Sequence, residues 1–464
     1  MAYSSIDNPS VHFDTKLYTG NGSNGRIITG IGFQPDWVWI KNRSSANPNK
    51  LFDSLRGVNK SIKSNSADSE ATNEENGYVS AFNSDGFTLT QGSSGMDDVN
   101  KNSDNYVSWN WLGAGTAPAI TYTVKVVSDS GNKYRFDDFG TSAVTLDLQE
   151  GGTYTFDQSD SSNSGHPLRF STTSNGTHGG GSEYTTGVTT NGTPGNSGAY
   201  TRITVAASAP TLYYYCSSHS AMGGQANTNS LFGSSNFKGD LQAVVSANVS
   251  AGFSVIKATS DNSSNRFIGH GLNSVPDAIW AKNLDQGYNW DVYYKVLGYN
   301  DSLKLNATDA GRTGAWGSSA FTTTKFQTGN SYSSANGNEY IYYCFHSVKG
   351  YSSIGSYVGN GSSSGPFIYT GFQPAMVIIK RTSSSDRWVI SDNKRDIDNP
   401  VVGELNPNDA AAEDTSSTPF DFVSNGFKIR RTGNVFNGSG SSYIYMAFAS
   451  SPFVNSNGVP TNAR

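Results

Sequence analysis

The sequence predicts an all-β protein with three tandem β-sandwich or jelly-roll-like repeats and one further Greek-key β-sandwich inserted after the first repeat. Three observations support this prediction. Short runs of β-branched and aromatic residues, such as Asp36–Lys41, are bounded by Gly, Asn, Ser and Pro. An Asp-Gly pair at 85–86 and an Asn-Gly pair at 425–426 favour tight hairpin turns. One motif recurs along the chain, while helical periodicity over ten or more residues is not found.

The composition limits the size and the class of the protein. With 464 residues the chain is too long for one core, because domains commonly have about 100–150 residues. A net charge of −5, with only 15% charged residues, argues against a nucleic-acid partner. No apolar run approaches the roughly 18 residues of a transmembrane helix, so we expect no membrane insertion. The first residues lack the pattern of a secretory signal, so we expect synthesis in a cytoplasm.

The recurring motif defines the repeats. Tyr18-Thr-Gly-Asn-Gly and Tyr357-Val-Gly-Asn-Gly each precede a Gly-Phe-Gln-Pro run, which ends 17 residues after the tyrosine at Pro35 and Pro374. A more diverged copy surrounds Pro276, where Asp-Ala-Ile-Trp-Ala-Lys matches Asp-Trp-Val-Trp-Ile-Lys after Pro35. We therefore predict repeat A at 1–116, the inserted domain at 117–228, a linker with repeat B at 229–349, and repeat C at 350–464.

The inserted domain carries side chains that favour a soft metal ion. His166 lies at an early strand, whereas Cys216, His219 and Met222 follow a late strand within seven residues. One thiolate, two imidazoles and a weak axial thioether form a ligand set that copper favours. The late side chains share a short loop, as convergence on one ion requires.

Residues 118–228 resemble the cupredoxins in the runs Gly-Thr-Tyr-Thr-Phe, His-Pro-Leu-Arg-Phe and Leu-Tyr-Tyr-Tyr-Cys-Ser-Ser-His. The resemblance implies a Greek-key sandwich in which His166, Cys216 and His219 are the three strong copper ligands. In plastocyanin-like and pseudoazurin-like loops the axial methionine lies five residues after the second histidine, where this chain has Gly224. Met222 is then a strained ligand, a neighbour of the ligands or a packing residue. The alternative for the domain is a cupredoxin-shaped fold without a metal.

The repeats resemble a domain of tailed phages, through Tyr-Thr-Gly-Asn-Gly, Gly-Phe-Gln-Pro-Asp-Trp-Val-Trp-Ile-Lys and Leu-Phe-Asp-Ser-Leu-Arg-Gly. They are most similar to tail-fibre-like and virion-decorating proteins of marine podoviruses and myoviruses, some of which carry a cupredoxin-like insert. The resemblance implies a virion structural protein. We expect it to be tail- or fibre-associated and to attach to the host cell surface.

The expected partners are other virion proteins and a host-surface glycan or protein, and the expected oligomer is a homotrimer. The alternatives are a capsid decoration protein and, from another class, a copper-binding electron-transfer module. Trp290, Trp316 and Trp388 lie in loop-like contexts and are candidate contact residues for a surface ligand.

Two recurring charged pairs have two interpretations. Asp53 and Arg56 recur at the same offsets as Asp392 and Arg395, either as a sugar site or as structural clamps, since a bidentate Arg–carboxylate pair fixes geometry. The clamp is the favoured interpretation. Cys344 is interpreted as a packing residue. Because no nucleophile-elbow, phosphate-loop or zinc-protease motif is present, we predict no enzymatic activity.

Overall fold

The structure is a computed structural model and describes residues 4–230, 232–313, 316–329, 337–417 and 419–460. The chain forms two compact units. Unit 1 comprises Met1–Gly113, Ala247–Arg266 and Gly271–Arg464, and unit 2 comprises Ala114–Ser246 and Phe267–His270. Most regular elements are strands, so the prediction of an all-β fold is confirmed. In the described ranges, no helix has the length and apolar character needed to span a bilayer.

In chain order the described strands are β1 (Phe13–Thr19), β2 (Arg26–Thr29), β3 (Trp37–Asn42), β4 (Lys50–Asp53), β5 (Lys60–Lys63), β6 (Ala71–Thr72), β7 (Tyr78–Asn83), β8 (Gly86–Thr90), β9 (Asn105–Trp111), β10 (Ala119–Ser128), β11 (Asn132–Phe136), β12 (Leu146–Gln149), β13 (Thr153–Asp157), β14 (Leu168–Ser171), β15 (Val188–Asn191), β16 (Tyr200–Thr204), β17 (Leu212–Cys216), β18 (Gly224–Ser230), β19 (Ser234–Asn236), β20 (Ala243–Asn248), β21 (Phe253–Thr259), β22 (Phe267–Gly269), β23 (Ala278–Asn283), β24 (Asp291–Tyr294), β25 (Asp301–Ser302), β26 (Arg312–Thr313), β27 (Lys325–Gln327), β28 (Glu339–Phe345), β29 (Ser352–Val358), β30 (Phe367–Tyr369), β31 (Phe372–Arg381), β32 (Trp388–Asp392), β33 (Phe420–Val423), β34 (Gly426–Ile429) and β35 (Ser442–Pro452). The described helices are α1 (Asn434–Asn437) and short 3-10 helices at Pro9–Val11, Ser161–Asn163, Gly176–Gly179 and Lys295–Leu297.

Unit 1 contains three sheets with the same antiparallel strand order. Sheet A has the order β1-β9-β3-β4 and continues to β5 and β6, sheet B has β21-β28-β23-β24, and sheet C has β29-β35-β31-β32. The registers also correspond. The residues two positions after Pro35, Pro276 and Pro374 each lie opposite an aromatic residue, in the pairs Trp37–Trp111, Ala278–Phe345 and Met376–Phe448.

One face of each sheet contributes to a shared core. In β3, Trp37 and Trp39 point into this core, whereas Val38 and Ile40 point to the opposite face, because side chains alternate along a strand. The outer faces of sheets A and C are covered by the three-stranded sheets β2-β8-β7 and β30-β34-β33. Each of these two pairs of sheets is therefore a β-sandwich.

Equivalent lysines link the three sheets into a closed ring. The lysine six residues after each proline is buried and donates from Nζ to a backbone carbonyl in a loop of a neighbouring sheet, in the pairs Lys41–Ala410, Lys282–Ala67 and Lys380–Thr308. The residue two positions after each lysine also contacts this loop, because its backbone carbonyl accepts a hydrogen bond from a backbone N–H there. With the acceptor first, the pairs are Arg43–Glu413, Leu284–Glu70 and Thr382–Gly311. These contacts run from sheet A to C, from C to B and from B to A.

Unit 2 is a β-sandwich with a core of its own. Its sheets have the orders β11-β10-β13-β16-β15 and β12-β18-β17-β14, with parallel pairing between β10 and β13 and between β12 and β18. Tyr154 and Phe156 from the first sheet pack with Leu168, Phe170 and Tyr214 from the second. The residues predicted as metal ligands all lie in this unit.

Candidate metal centre

The ladder between β14 and β17 positions the first two candidate ligands. Cys216 is the last residue of β17 and lies opposite Leu168. His166 precedes β14 by two residues, and the N–H of Ser217 donates to the Pro167 carbonyl at 3.0 Å. The backbone pairing therefore continues past the strands and brings the imidazole of His166 beside the thiol of Cys216.

His166, Cys216 and His219 form a compact cluster. The Cys216 Sγ lies 3.9 Å from Nδ1 of His166 and 3.8 Å from Nδ1 of His219. One ligand atom from each residue lies within 4.8 Å of the other two. Metal bonds of about 2.3 Å to a thiolate and about 2.0 Å to an imidazole, as zinc makes them, give a sulfur–nitrogen separation of about 3.7 Å at a trigonal angle. The three residues therefore fit one metal ion.

Several backbone contacts hold His166 in place. Its carbonyl accepts hydrogen bonds from the Tyr134 hydroxyl at 2.8 Å and from the Gln158 amide at 2.9 Å. Its N–H donates to the Asn163 carbonyl at 2.8 Å. Fixed second-layer contacts of this kind orient a metal ligand. The sequence contained no local pattern that would have identified Tyr134 or Gln158.

The loop after Cys216 is anchored at its far end. The N–H of Ala221 donates to the Asn175 side chain at 2.7 Å. Gly223 passes so close to β17 that a Cβ atom there would lie 1.7 Å from the Tyr214 carbonyl oxygen. A side chain at Gly223 would displace the loop that carries His219.

The environment of His166 favours its metal-binding form. The pKa of His166 is lowered by burial and by the neighbouring His219 ring, so its imidazole is neutral and able to bind a metal. The pKa of Tyr134 is raised by burial and by Cys216, so its phenol stays protonated. Cys216 is fully buried, whereas His219 is exposed. The sulfur side of the cluster is closed and the His219 side is open to solvent.

The structure places Met222 in the core of unit 2. Its side chain is 1% exposed and belongs to the core cluster, and its carbonyl accepts the N–H of Tyr134 at 3.0 Å. Packing is thus one of its roles. The axial-ligand role stays a prediction.

The structure corrects the expectation that three tryptophans contact a surface ligand. Trp290, Trp316 and Trp388 are 0%, 3% and 0% exposed, so their rings are not available at the surface. The indole N–H of Trp290 donates to the Lys63 carbonyl, and that of Trp388 donates to the Lys304 carbonyl, both at 2.9 Å. Trp290 and Trp388 lie 14 residues after Pro276 and Pro374, a recurrence that the sequence already contained. They join neighbouring sheets of the ring, and Trp316 packs against other aromatic rings.

The two charged pairs are buried ion pairs. Arg56 Nε lies 2.5 Å from Asp53 Oδ2, and Arg395 Nε lies 2.6 Å from Asp392 Oδ2. The arginine side chains are each 1% exposed. This burial leaves no room for a sugar and fits the clamp interpretation. Cys344 is also buried and lies opposite Ile279 in sheet B, as a packing residue would.

The chain matches the model of a known protein family. The family described as a domain of unknown function (DUF7483) matches residues 8–146 and 224–452. Neither a curated protein nor a solved structure matches the chain. The matched segments leave out residues 147–223, which hold His166, Cys216, His219 and Met222. The candidate metal centre therefore lies outside the matched segments of a chain that belongs to the DUF7483 family, whose function is unknown.

Proposed function

We propose that unit 2 binds one copper ion through Sγ of Cys216 and Nδ1 of both His166 and His219. The observation that carries this proposal is the convergence of the three ligand atoms within 4.8 Å. A trigonal site with one thiolate and two imidazoles has the strong ligands of copper electron-transfer centres. The resemblance of residues 118–228 to the cupredoxins supports the same assignment.

A copper ion in such a site supplies one-electron transfer by changing between Cu(II) and Cu(I). The protein supplies the surroundings. Burial of Cys216 keeps water from the sulfur, and the contacts to the His166 carbonyl fix the imidazole. The exposed ring of His219 gives a redox partner access to one edge of the site.

The test is a titration of the full chain with Cu(II), followed by visible absorption. We expect one equivalent to produce the intense colour of a thiolate–Cu(II) bond. Cys216→Ala should abolish the colour, while Cys344→Ala is the matched control, because Cys344 is the other buried cysteine and lies in unit 1. A colourless protein, or one that prefers zinc and takes up no copper, would contradict the proposal.

We also propose that unit 1 is the scaffold of a phage virion protein with three repeat domains, tail- or fibre-associated, that attaches to the host surface. The closed ring of three sheets supports this role. Its three repeats bury their interfaces against one another within one chain, so they form a rigid frame. Loops on such a rigid frame are free to vary and to carry contacts. Capsid decoration is the alternative location.

Gold-labelled antibody against residues 350–464, viewed on intact virions, tests this second proposal. Label on the tail or its fibres is the expected result, whereas label over the head supports capsid decoration. Particles without label would contradict both locations. Light scattering on the purified chain decides whether the ring also assembles into the expected homotrimer.

A further inference from the structure

A pocket of about 300 Å³ lies along the outer edge of β1 in unit 1. Asp14 and Thr15 of β1 line one side of it. Asn393 and Lys394, from the loop after β32, line another side, together with Ser450 of β35. The pocket thus combines two sheets of the ring and is distant in sequence from the metal centre.

Two buried polar atoms at this pocket have no hydrogen-bond partner among the described residues. They are Oγ1 of Thr15 and Oδ1 of Asn393. Thr15 is 4% exposed. An unpartnered buried polar atom is unfavourable, because it has lost its hydrogen bonds to water without gaining others. A ligand that forms hydrogen bonds with both atoms would remove this cost.

The equivalent positions in the other sheets show that the fold does not need a hydroxyl here. Thr15 lies opposite Trp109, and the residues at the same place in sheets B and C are Val255 and Ile354. Both replacements are apolar. Among the three equivalent positions only that of sheet A has a hydroxyl, and its residue, Thr15, lines the pocket.

The charges at the pocket compensate each other. Burial raises the pKa of Asp14 to about 6, and the nearby Lys394 and Lys16 oppose this effect. At neutral pH Asp14 is mostly a carboxylate and lies near an ammonium group. A neutral ligand fits this balance better than an anion or a cation, because either ion would meet a like charge.

We propose that this pocket binds one neutral sugar residue of a glycan. Hydroxyl groups of a sugar can donate to Oγ1 of Thr15, to Oδ1 of Asn393 and to the carboxylate of Asp14, and can accept from Lys394. Ala375 and the exposed Ile397 provide apolar surface for the C–H face of the ring. A volume of 300 Å³ lies at the lower end of small-ligand pockets and suits a single ring. This site goes beyond the copper centre, and it gives the proposed attachment role a ligand class.

The test uses the full chain and saturation-transfer NMR with six probes at millimolar concentration: glucose, galactose, mannose, rhamnose, N-acetylglucosamine and N-acetylgalactosamine. We expect at least one of them to receive saturation from the wild-type protein. Thr15→Val and Asn393→Leu should each reduce that signal at least fivefold. Thr15→Val should fold normally, since sheet B has valine at the equivalent position.

Thr29→Val is the matched control, because Thr29 belongs to the same repeat and is exposed outside the pocket. Its signal should equal that of the wild type. The proposal is overturned if all six sugars give no signal, or if both pocket variants bind as the wild type does. Neither result would affect the antibody labelling of virions or the copper titration, so the proposals fail separately.

Discussion

Tyr343 of sheet B donates its hydroxyl proton to Oδ2 of Asp53 in sheet A at 2.6 Å, across 290 residues of sequence. The same relationship joins sheets A and C, where the indole N–H of Trp109 donates to Oδ2 of Asp392 at 3.1 Å. Tyr343 and Trp109 occupy equivalent strand positions, as do Asp53 and Asp392. Two interfaces of the ring thus contain the same kind of hydrogen bond, from an aromatic donor to an aspartate, at equivalent positions.

At the third interface both members of the pair differ. The position of the donor holds Met446, and the position of the aspartate holds Tyr294. A buried carboxylate without its donor is costly, so loss of one member favours loss of the other. The donor and the aspartate are either both present or both replaced, as expected if this contact stabilises the ring.

The first prediction concerns the contact between Tyr343 and Asp53. Tyr343→Phe should lower the free energy of unfolding by about 1.5–3 kcal/mol, because the buried carboxylate loses a donor. Denaturant unfolding measures this change. Tyr299→Phe is the control, since Tyr299 is 39% exposed, and it should unfold as the wild type does. Equal stability of the two variants would contradict the role of the contact.

The second prediction compares a buried arginine with an exposed one. Arg395→Met leaves Asp392 and Glu413 without their shared cation and should cost about 3–5 kcal/mol of unfolding free energy. Arg430→Met removes an ion pair to Asp421 whose arginine is 51% exposed, and it should cost at most about 1 kcal/mol. Thermal unfolding of both variants checks the difference. A similar cost for both would show that the buried pair is not a clamp.

The third prediction concerns pH and the three ring lysines. Burial lowers the pKa of Lys41, Lys282 and Lys380 to about 8. Between pH 8 and 9.5 the unfolded lysines, with a pKa of about 10.4, bind protons that the folded ones have lost. Stability should therefore rise with pH across this window, by at most about 1.4 kcal/mol per pH unit and lysine.

Lys282→Met isolates one of these contributions. Its unfolding free energy, measured by denaturant at several pH values, should rise less steeply than that of the wild type between pH 8 and 9.5. Lys295→Met is the control, because Lys295 is 53% exposed, and it should keep the wild-type slope. Parallel profiles for all three proteins would mean that Lys282 stays charged in the folded ring.

The fourth prediction concerns Met222. Met222→Leu keeps the volume of a core side chain, so it should cost less than about 1.5 kcal/mol of stability. If the thioether is an axial ligand, the copper-loaded variant should change its visible spectrum and its reduction potential. Spectroscopy and voltammetry on the loaded full chain check this. An unchanged spectrum and potential would assign Met222 to packing alone.

The sequence predicted the elements that depend on local pattern. The β-branched and aromatic residues of Asp36–Lys41 predict a strand, and the structure has β3 there. The spacing of Cys216 and His219 predicts that both side chains approach His166, and the three residues form one cluster. These predictions succeed because strand alternation and a short loop restrict where neighbouring side chains can lie.

The ring could not be predicted in the same way. The sequence predicts Trp290 and Trp388 as surface contacts because their segments resemble loops, and local pattern does not reveal which sheet a loop packs against. The equal offset from Pro276 and Pro374 was a usable signal, since a large apolar ring at one repeated position indicates a shared packing role. The pocket at Thr15 and Asn393 depends on residues far apart in sequence and had no such signal.

Copper K-edge X-ray absorption of the full chain, loaded with one equivalent of copper, tests the central claim most directly. The account predicts one sulfur and two imidazole nitrogens in the first coordination shell, with the sulfur lost in Cys216→Ala and retained in Cys344→Ala. A first shell of nitrogen and oxygen alone in the wild-type protein would contradict the claim that His166, Cys216 and His219 form a copper centre.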